Sequence, residues 1–559
     1  MNIIGSAIAW DFAPQISHRL QFSVIFATKK QAIMVEAKLV QQENAPSFVQ
    51  NQVGHWVLLS TIFASSMAFI DASALNVALP ALQSNLGATG VELLWIVNAY
   101  LLMLAALILV GGSLGDQLGR KKVFAIGICL FILASLACGF APSTKFLIAA
   151  RIFQGIGGAM MIPGSLAIIT AYFEPEHRGG AIGTWSAATT IVTVAGPVLG
   201  GLLSDAGFWR GVFLINLPIG ITTLLILYLK VPESRNEQAS VKIDYLGAIL
   251  ATLGLAGLTY GFISLHDFGI HDPRIYGTLS GGAIALLAYV LVEARSAHPM
   301  MPLHLFKSRT FSGTNLLTLF LYGALSVGTF FLCLNLVQAQ GYSQSIAGLA
   351  DMPFALLLSG LSPWAGELAD RYGPRIPLIV GPFLAGLGFL LMAFVGLTRG
   401  ASEYWTTFFP GIVVFGLGMA ITVAPLTTAV MGSVGTDYAG TASGINNAVS
   451  RTAGVLAIAI VGSLALSTYS LSLQEHTTCI HLSHAARLLL QSQARQLGQI
   501  APIVGVSPEN VDAVETAVKL AFVDTFKLVM IICAGLAWLS AVMAALLVEN
   551  PPKEQANGE

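Results

Sequence analysis

Four charged residues stand inside long apolar stretches of the chain, away from the ends of those stretches: Asp71, Arg151, Asp351 and Arg451. A charge at the centre of a bilayer costs about 2.5–3.5 kcal/mol on insertion scales, so such residues belong to ion pathways or buried pairs. Asp71 precedes the end of its stretch at 79 by eight residues, ~12 Å at the helical rise. Arg151 lies six residues into a stretch that starts at 145 and runs the other way, ~9 Å from the same boundary. The two share a depth and can face each other. If they separate, the acid takes up a proton; if they close, or a cation is admitted, the proton leaves. That is an exchanger, with Asp71 as proton carrier and Arg151 tuning it. Held fixed, the same groups are a static ion pair joining two helices. Asp351, in Leu349-Ala350-Asp351-Met352-Pro353, sits about one turn into its stretch near the outer surface. It either contacts a second cation or snorkels to water. Arg451, near the centre of its stretch, either compensates an acid or bonds the backbone carbonyls of a kinked neighbour.

Other chemistries lack their residues. No glycine-rich segment ends in Gly-Lys-Ser/Thr, and neither His-Glu-x-x-His nor Gly-x-Ser-x-Gly occurs. A Walker-type ATP site, a zinc hydrolase and a serine nucleophile elbow are therefore not expected. His476, Cys479, His481 and His484 do not have paired zinc-type spacing and read as polar loop residues. Of the five cysteines, four sit in apolar runs and read as core fillers. The expectation is a protein that is not an enzyme, holds no cofactor or metal, and is driven by a proton gradient.

The elements that position these charges follow from composition. The chain has 559 residues, 27 basic against 28 acidic, with 55% hydrophobic and only 10% charged residues, and a mean hydropathy of +0.76. Soluble domains carry about a quarter charged residues, so disorder, a fibrous repeat and nucleic-acid binding are excluded as main readings. A membrane helix needs ~20 mostly apolar residues. Fourteen such spans are expected, at about 56–79, 91–113, 122–140, 145–170, 180–203, 211–230, 243–265, 275–293, 313–337, 346–368, 376–396, 404–431, 441–466 and 522–547. With the N-terminus inside, the inner loops and flanks hold Arg120, Lys121, Lys122, Arg178, Lys230, Arg235, Lys242, Arg295, Lys307, Arg309, Arg371 and Arg375. The short outer loops hold Lys145, Arg210, Arg274 and Arg399, so the positive-inside rule places both termini in the cytoplasm. No cleavable signal peptide is apparent; residues 1–55 read as a cytoplasmic tail, with Met34 an alternative start. Segment 467–521 reads as an outer helical hairpin, with an amphipathic helix at His484–Gln499 and a helix start at Ser507-Pro508-Glu509.

One loop occurs twice: Gly112-Ser113-Leu114-Gly115-Asp116-Gln117-Leu118-Gly119-Arg120-Lys121-Lys122, and Gly366-Glu367-Leu368-Ala369-Asp370-Arg371-Tyr372-Gly373-Pro374-Arg375. Each copy follows the second span of a six-span group once spans seven and eight are set aside as an insert. Secondary transporters are often built by such duplication, with the site at the midplane between the halves. Gly112 and Gly119 let helix ends approach. Asp116 and Asp370 can accept from the amides of a neighbouring helix, and Arg120 and Arg371 can pair with facing acids. This makes a latch that breaks when the cytoplasmic side opens. Lys121 and Lys122 simply obey the positive-inside rule.

The duplicated loop resembles the signature of the major facilitator superfamily, and fourteen spans resemble its drug:proton antiporter branch of the EmrB/QacA type. Asp71-Ala72-Ser73-Ala74-Leu75-Asn76-Val77-Ala78-Leu79-Pro80 is similar to that branch's first-span motif, with Ser73 for the usual threonine. Arg151-Ile152-Phe153-Gln154-Gly155-Ile156-Gly157-Gly158 resembles the fourth-span motif, and Gly196-Pro197-Val198-Leu199-Gly200-Gly201 the fifth-span motif associated with antiporters. Trp209-Arg210 and Asn216-Leu217-Pro218-Ile219-Gly220 resemble the entry to span six. Gln117 and Pro374 replace the usual bases, which implies weaker latches. The resemblance implies coupling at the acid of the first-span motif, Asp71. For Gly196, Pro197 and Gly200 it favours a directional-transport element over a simple proline kink.

These readings give an all-α polytopic membrane protein of the major facilitator fold, two six-helix bundles plus two inserted central helices. The expected divisions are a tail at 1–55, bundles at 56–230 and 313–547, a linker with the two extra helices at 231–312, and a cytoplasmic tail at 548–559. The expected function is proton-coupled antiport exporting amphipathic, mainly cationic, drugs or toxic compounds. The alternatives are export of one endogenous metabolite or lipid-like product, or a non-transporting sensor. Asn98, Tyr100, Gln154, Asn335 and Gln338, polar positions in spans two, four and nine, are expected to border the cavity. Trp95, Trp185 and Phe330 are available to stack on a flat cation. Expected partners are a small amphipathic substrate, protons, membrane lipid and, in a host with two membranes, a periplasmic adaptor, with no nucleic acid. The expected location is the cell membrane, in bacteria the inner one.

Overall fold

The computed structural model describes residues 47–234, 244–296, 299–434, 438–478 and 510–550, with a few positions between 480 and 490. Most of the expected N-terminal tail and of the helix at His484–Gln499, together with the helix start at Ser507-Pro508-Glu509 and residues 551–559, lie outside the described residues. Residues Met1–Trp56 and Val57–Glu559 form separate units, and the second holds the helical bundle.

Fourteen described helices are long and apolar enough to cross a membrane. In hydrocarbon every backbone group must be bonded within its own segment, so long apolar runs become helices. The first half holds α1 (Ser47–Leu86), α2 (Gly90–Leu118), α3 (Arg120–Gly139), α4 (Thr144–Tyr172), α5 (Pro175–Asp205), α6 (Gly211–Leu214) and α7 (Asn216–Lys230). Next come α8 (Tyr245–Phe268) and α9 (Pro273–Arg295), then α10 (Arg309–Leu334), α11 (Gln344–Ala350), α12 (Met352–Tyr372), α13 (Arg375–Ala393), α14 (Phe408–Gly432), α15 (Ala439–Thr477) and α16 (Val511–Leu547). Their starts are written locally. Thr89 and Glu92 form a reciprocal capping box at α2, and Ser143, Ser308 and Ser343 cap α4, α10 and α11.

Five spans depart from the expected uniform helix. The sixth is divided into α6 and α7 at Ile215. The tenth is two pieces, α11 and α12, parted at Asp351, because Pro353 stands at the second position of the new helix and can continue no earlier ladder. The ninth ends in a π turn at Asn335–Ala339. The last two overshoot their apolar runs: α15 continues to Thr477 and α16 begins at Val511, so both flanks of the expected 467–521 hairpin are extensions of membrane helices. They are joined by Asp524, which accepts from Ser472 Oγ at 2.7 Å and lies 2.8 Å from His476 Nε2. Loss of hydropathy ends a membrane core and need not end a helix.

Helix α4 packs against α2 and α3, and in the second half α13 packs against α14 and α16. Two seams join the repeats: α2 lies along α15, and α5 lies along α11 and the start of α12. Helix α8 reaches α2 and α15, whereas α9 rests mainly on α8 and buries only Ile275, Gly282 and Glu293.

Candidate functional site

Asp71 on α1 and Arg151 on α4 are joined in a buried ion pair; their side chains are 0% and 1% exposed. Arg151 Nη1 donates to Asp71 Oδ2 and, at 2.7 Å, to Gln154 Oε1; its Nε donates to the Ile96 carbonyl at 3.1 Å. Gln154 donates in turn to Asp71 Oδ1 at 2.7 Å and to Ser135 Oγ at 2.9 Å. The guanidinium lies 4.4 Å from the centre of the Tyr100 ring. Four helices therefore hold one acid and one base through a polar network that leaves neither charge alone. Asn98, two residues before Tyr100, is fully buried, and both its amide atoms lack a partner among the described residues.

Beside the pair lies a cavity of about 460 Å³. Its wall includes Ser73 and Asn76 from α1, Tyr100, Arg151, Tyr322 from α10, Asp351, and Asn447 and Arg451 from α15. Of the five expected cavity residues only Tyr100 is in that wall. Gln154 is committed to the ion pair, Asn98 and Asn335 are buried elsewhere, and Gln338 donates to Gln83 at 2.8 Å. Trp95, Trp185 and Phe330 are also outside it; Phe69, Tyr100, Tyr322 and Phe354 supply its aromatic surface. The reason is rotational: positions two apart on a helix point ~200° apart, and hydropathy does not mark the inward face of a helix that is apolar all round. Asp351 occupies the break between α11 and α12 and faces the cavity, with no ion pair among the described residues. Arg451 meets neither of its expected partners: no described acid or carbonyl bonds it, and it also faces the cavity.

The fifth-span motif works by close approach. A Cβ on Gly196 would overlap Ser73 Oγ, and one on Gly200 would overlap the Ala74 carbonyl oxygen, so both glycines seat α5 on α1. The Pro197 carbonyl faces Gly348 of α11 in the same way. At that end Asp205 accepts from the backbone N–H groups of Gln344 and Ser345, each at 2.9 Å, and from the Ser345 hydroxyl. This face of the bundle is closed across the two repeats.

At the opposite, basic face the duplicated loops differ from the expected latch. Asp116 pairs with Arg120 four residues on, Nη2 to Oδ1 at 2.8 Å, and among the described residues reaches no neighbouring helix amide. The facing acid is Glu233, which accepts from the Lys121 backbone N–H at 3.0 Å and so caps α3. In the second copy Asn550 Oδ1 accepts from the Arg375 backbone N–H at 3.2 Å. Glu233 and Asn550 each lie three residues beyond the last helix of their half, a correspondence readable by aligning the two six-span groups. Gly119 and Gly373 both have positive φ, 106° and 87°, and sit against these caps. Gly112 is not at a close approach, its nearest contact being Pro163 at 3.8 Å; the tight glycine is Gly111, whose Cβ would overlap the Ala159 carbonyl oxygen. Arg371 is exposed and forms no ion pair among the described residues, and the Asp370 side chain lies outside them.

Fourteen membrane-length helices, two seams between repeats and a central cavity beside a buried charge pair define a polytopic membrane transporter. The chain belongs to the Major Facilitator Superfamily, whose profile matches residues 61–458, and it is a secondary transporter. It is 35% identical over 426 residues to the multidrug resistance protein Stp of Mycobacterium tuberculosis, covering 75% of this chain and 77% of that one. It is 28% identical over 507 residues to the tetracenomycin C resistance and export protein of Streptomyces glaucescens, covering 90% and 93%. Among solved structures, a bacterial homologue of the human lysosomal transporter Spinster, inward-facing and unoccupied, matches with a TM-score of 0.62 at 18% identity, over 89% of this chain and 99% of that one. At that identity the likeness is one of fold.

Proposed function

We propose that this chain is a proton-coupled antiporter that exports amphipathic, chiefly cationic, drugs or toxic compounds by alternating access. The observation that carries the reading is the buried Asp71–Arg151 pair, whose arginine lines the cavity. In this reading the Asp71 carboxylate exchanges its bond to Arg151 for a proton as α1 and α4 move apart, and both helices border the space a substrate enters. The names of two relatives, one for multidrug resistance and one for resistance and export, support export of drugs. Asp351 offers a cationic group a second carboxylate in the same cavity. A proton falling through 100 mV supplies ~2.3 kcal/mol, enough for roughly a 50-fold gradient of a neutral solute.

In this reading the chain lies in the cell membrane of a bacterium, the inner one where there are two, with both termini cytoplasmic. The halves 56–230 and 313–547 rock about the cavity, with 231–312 inserted between them. The test is proton release from inverted, acidified vesicles on adding a panel of lipophilic cations. Wild type is expected to release protons and Asp71→Asn to release none. A silent wild type moves a dedicated metabolite exporter or a non-transporting sensor ahead. Release by Asp71→Asn at the wild-type rate removes Asp71 as the coupling site, and Asp351→Asn is then the variant to test.

A further inference from the structure

Arg151 and Arg451 face the same cavity but are treated differently. The first donates hydrogen bonds to a carboxylate, an amide and a carbonyl. The second, on α15, has no ion pair and no hydrogen bond among the described residues. An arginine without a counter-charge is expensive inside a membrane protein and stays where it meets a ligand or a water-filled cavity. Its surroundings are polar. Tyr322, Asn447 and Ser450 line the main cavity and also a smaller one of about 100 Å³ alongside it, where Asn446 and Ser443 continue the polar face of α15. Asn447 donates to the Ser443 carbonyl of its own helix at 3.0 Å, so its nitrogen is engaged within α15 and not with Arg451. No described acid stands within ion-pair distance of Arg451; Asp351, in the same wall, is unpaired as well.

Resting on the export reading above, we infer that Arg451 is an anion subsite, and that the preferred substrates are amphipathic zwitterions whose cationic part carries a carboxylate, sulfonate or similar anionic group. The planar guanidinium matches such a group with two parallel hydrogen bonds, which a point charge does not. The unpaired acid and the unpaired base of the wall then each meet the opposite charge, and the filled cavity stays neutral.

The test uses rhodamine B, a xanthylium cation bearing a free carboxylate, and its ethyl ester, the same cation with the carboxylate masked. Binding of each to the full-length protein in nanodiscs is followed by fluorescence polarisation against empty nanodiscs. Wild type is expected to bind rhodamine B about tenfold or more tighter than the ester, the size of one charge-assisted hydrogen bond. Arg451→Gln should abolish that preference while binding the ester as wild type does, which also shows that the variant is folded. Arg451→Lys should keep part of the preference. Equal affinity of wild type for both dyes, or an equal loss of both in Arg451→Gln, overturns the subsite and leaves the export reading standing. If wild type binds neither dye, the export reading and the subsite fall together.

Discussion

At the residue scale, the polar groups buried around Asp71 divide into those that are satisfied and those that are not. Gln154 holds Asp71, Arg151 and Ser135 at once. Replacing it by leucine leaves several buried partners short of a bond, at about 1–3 kcal/mol for each group left unpaired. Gln154→Leu should therefore lower the midpoint of thermal unfolding in detergent by several degrees. Asn98 is the converse case, since its amide is buried with no partner for either atom among the described residues. Asn98→Leu removes an unsatisfied group of similar shape, and the midpoint should hold or rise. A fall for Asn98→Leu as large as for Gln154→Leu counts against this division. The ion pair was legible in the sequence because an unshielded charge in an apolar run needs a partner at its own depth. Gln154's place in the network was not, because only the helix rotation decides whether a glutamine three residues past Arg151 turns to the acid or to the cavity.

At the element scale, small residues fix which helices touch, and the repeated loop shows how far sequence reasoning reaches. Its duplication is plain in the residues, and so is the need for glycine at its turns. The one-residue difference between Gly111 and Gly112 is not, because both fit the motif and only the approach of α4 separates them. Gly111→Ala should abolish most of the folded yield, measured by fluorescence-detected size exclusion, since the added carbon meets the Ala159 backbone. Gly112→Ala should fold like wild type. Gly119→Ala and Gly373→Ala face a different penalty. Both glycines have positive φ, where a side chain costs about 1–3 kcal/mol, and both press on the cap of the following helix. Each should lose thermal stability, the first through the Glu233 cap and the second through Asn550. A loss in only one of the two means the copies do not work alike. The overshoot of α15 and α16 past their apolar runs belongs to this scale too: hydropathy reports where a lipid boundary lies, and Asp524, tied to Ser472 and His476, holds the helices together beyond it.

At the scale of the whole transporter, alternating access requires one face to be closed by contacts that can break together. The structure has such a set on the face away from the basic loops. Asp205 binds two backbone amides and the Ser345 hydroxyl, Gln338 bonds Gln83, and Gly348 lies against the Pro197 carbonyl. The carboxylate is the strongest of these, because hydrogen bonds to a charged group contribute about 1.5–3 kcal/mol. A shift of 1.4 kcal/mol changes a two-state ratio tenfold, so losing Asp205 should move the population toward the state open on that face. Cys333 is a native reporter, being a free thiol in the cavity wall. With the other cysteines replaced by serine, Cys333 should react slowly with an impermeant maleimide added from that face. The same background carrying Asp205→Ala should react roughly tenfold faster or more, and Asp205→Asn, which keeps a weaker acceptor, should fall between. Unchanged labelling in Asp205→Ala means that the packing of α5 on α11, through Gly201, Gly348 and the Pro197 carbonyl, closes this face without the carboxylate. Gly348→Val, which cannot seat against Pro197, is then the variant expected to open it.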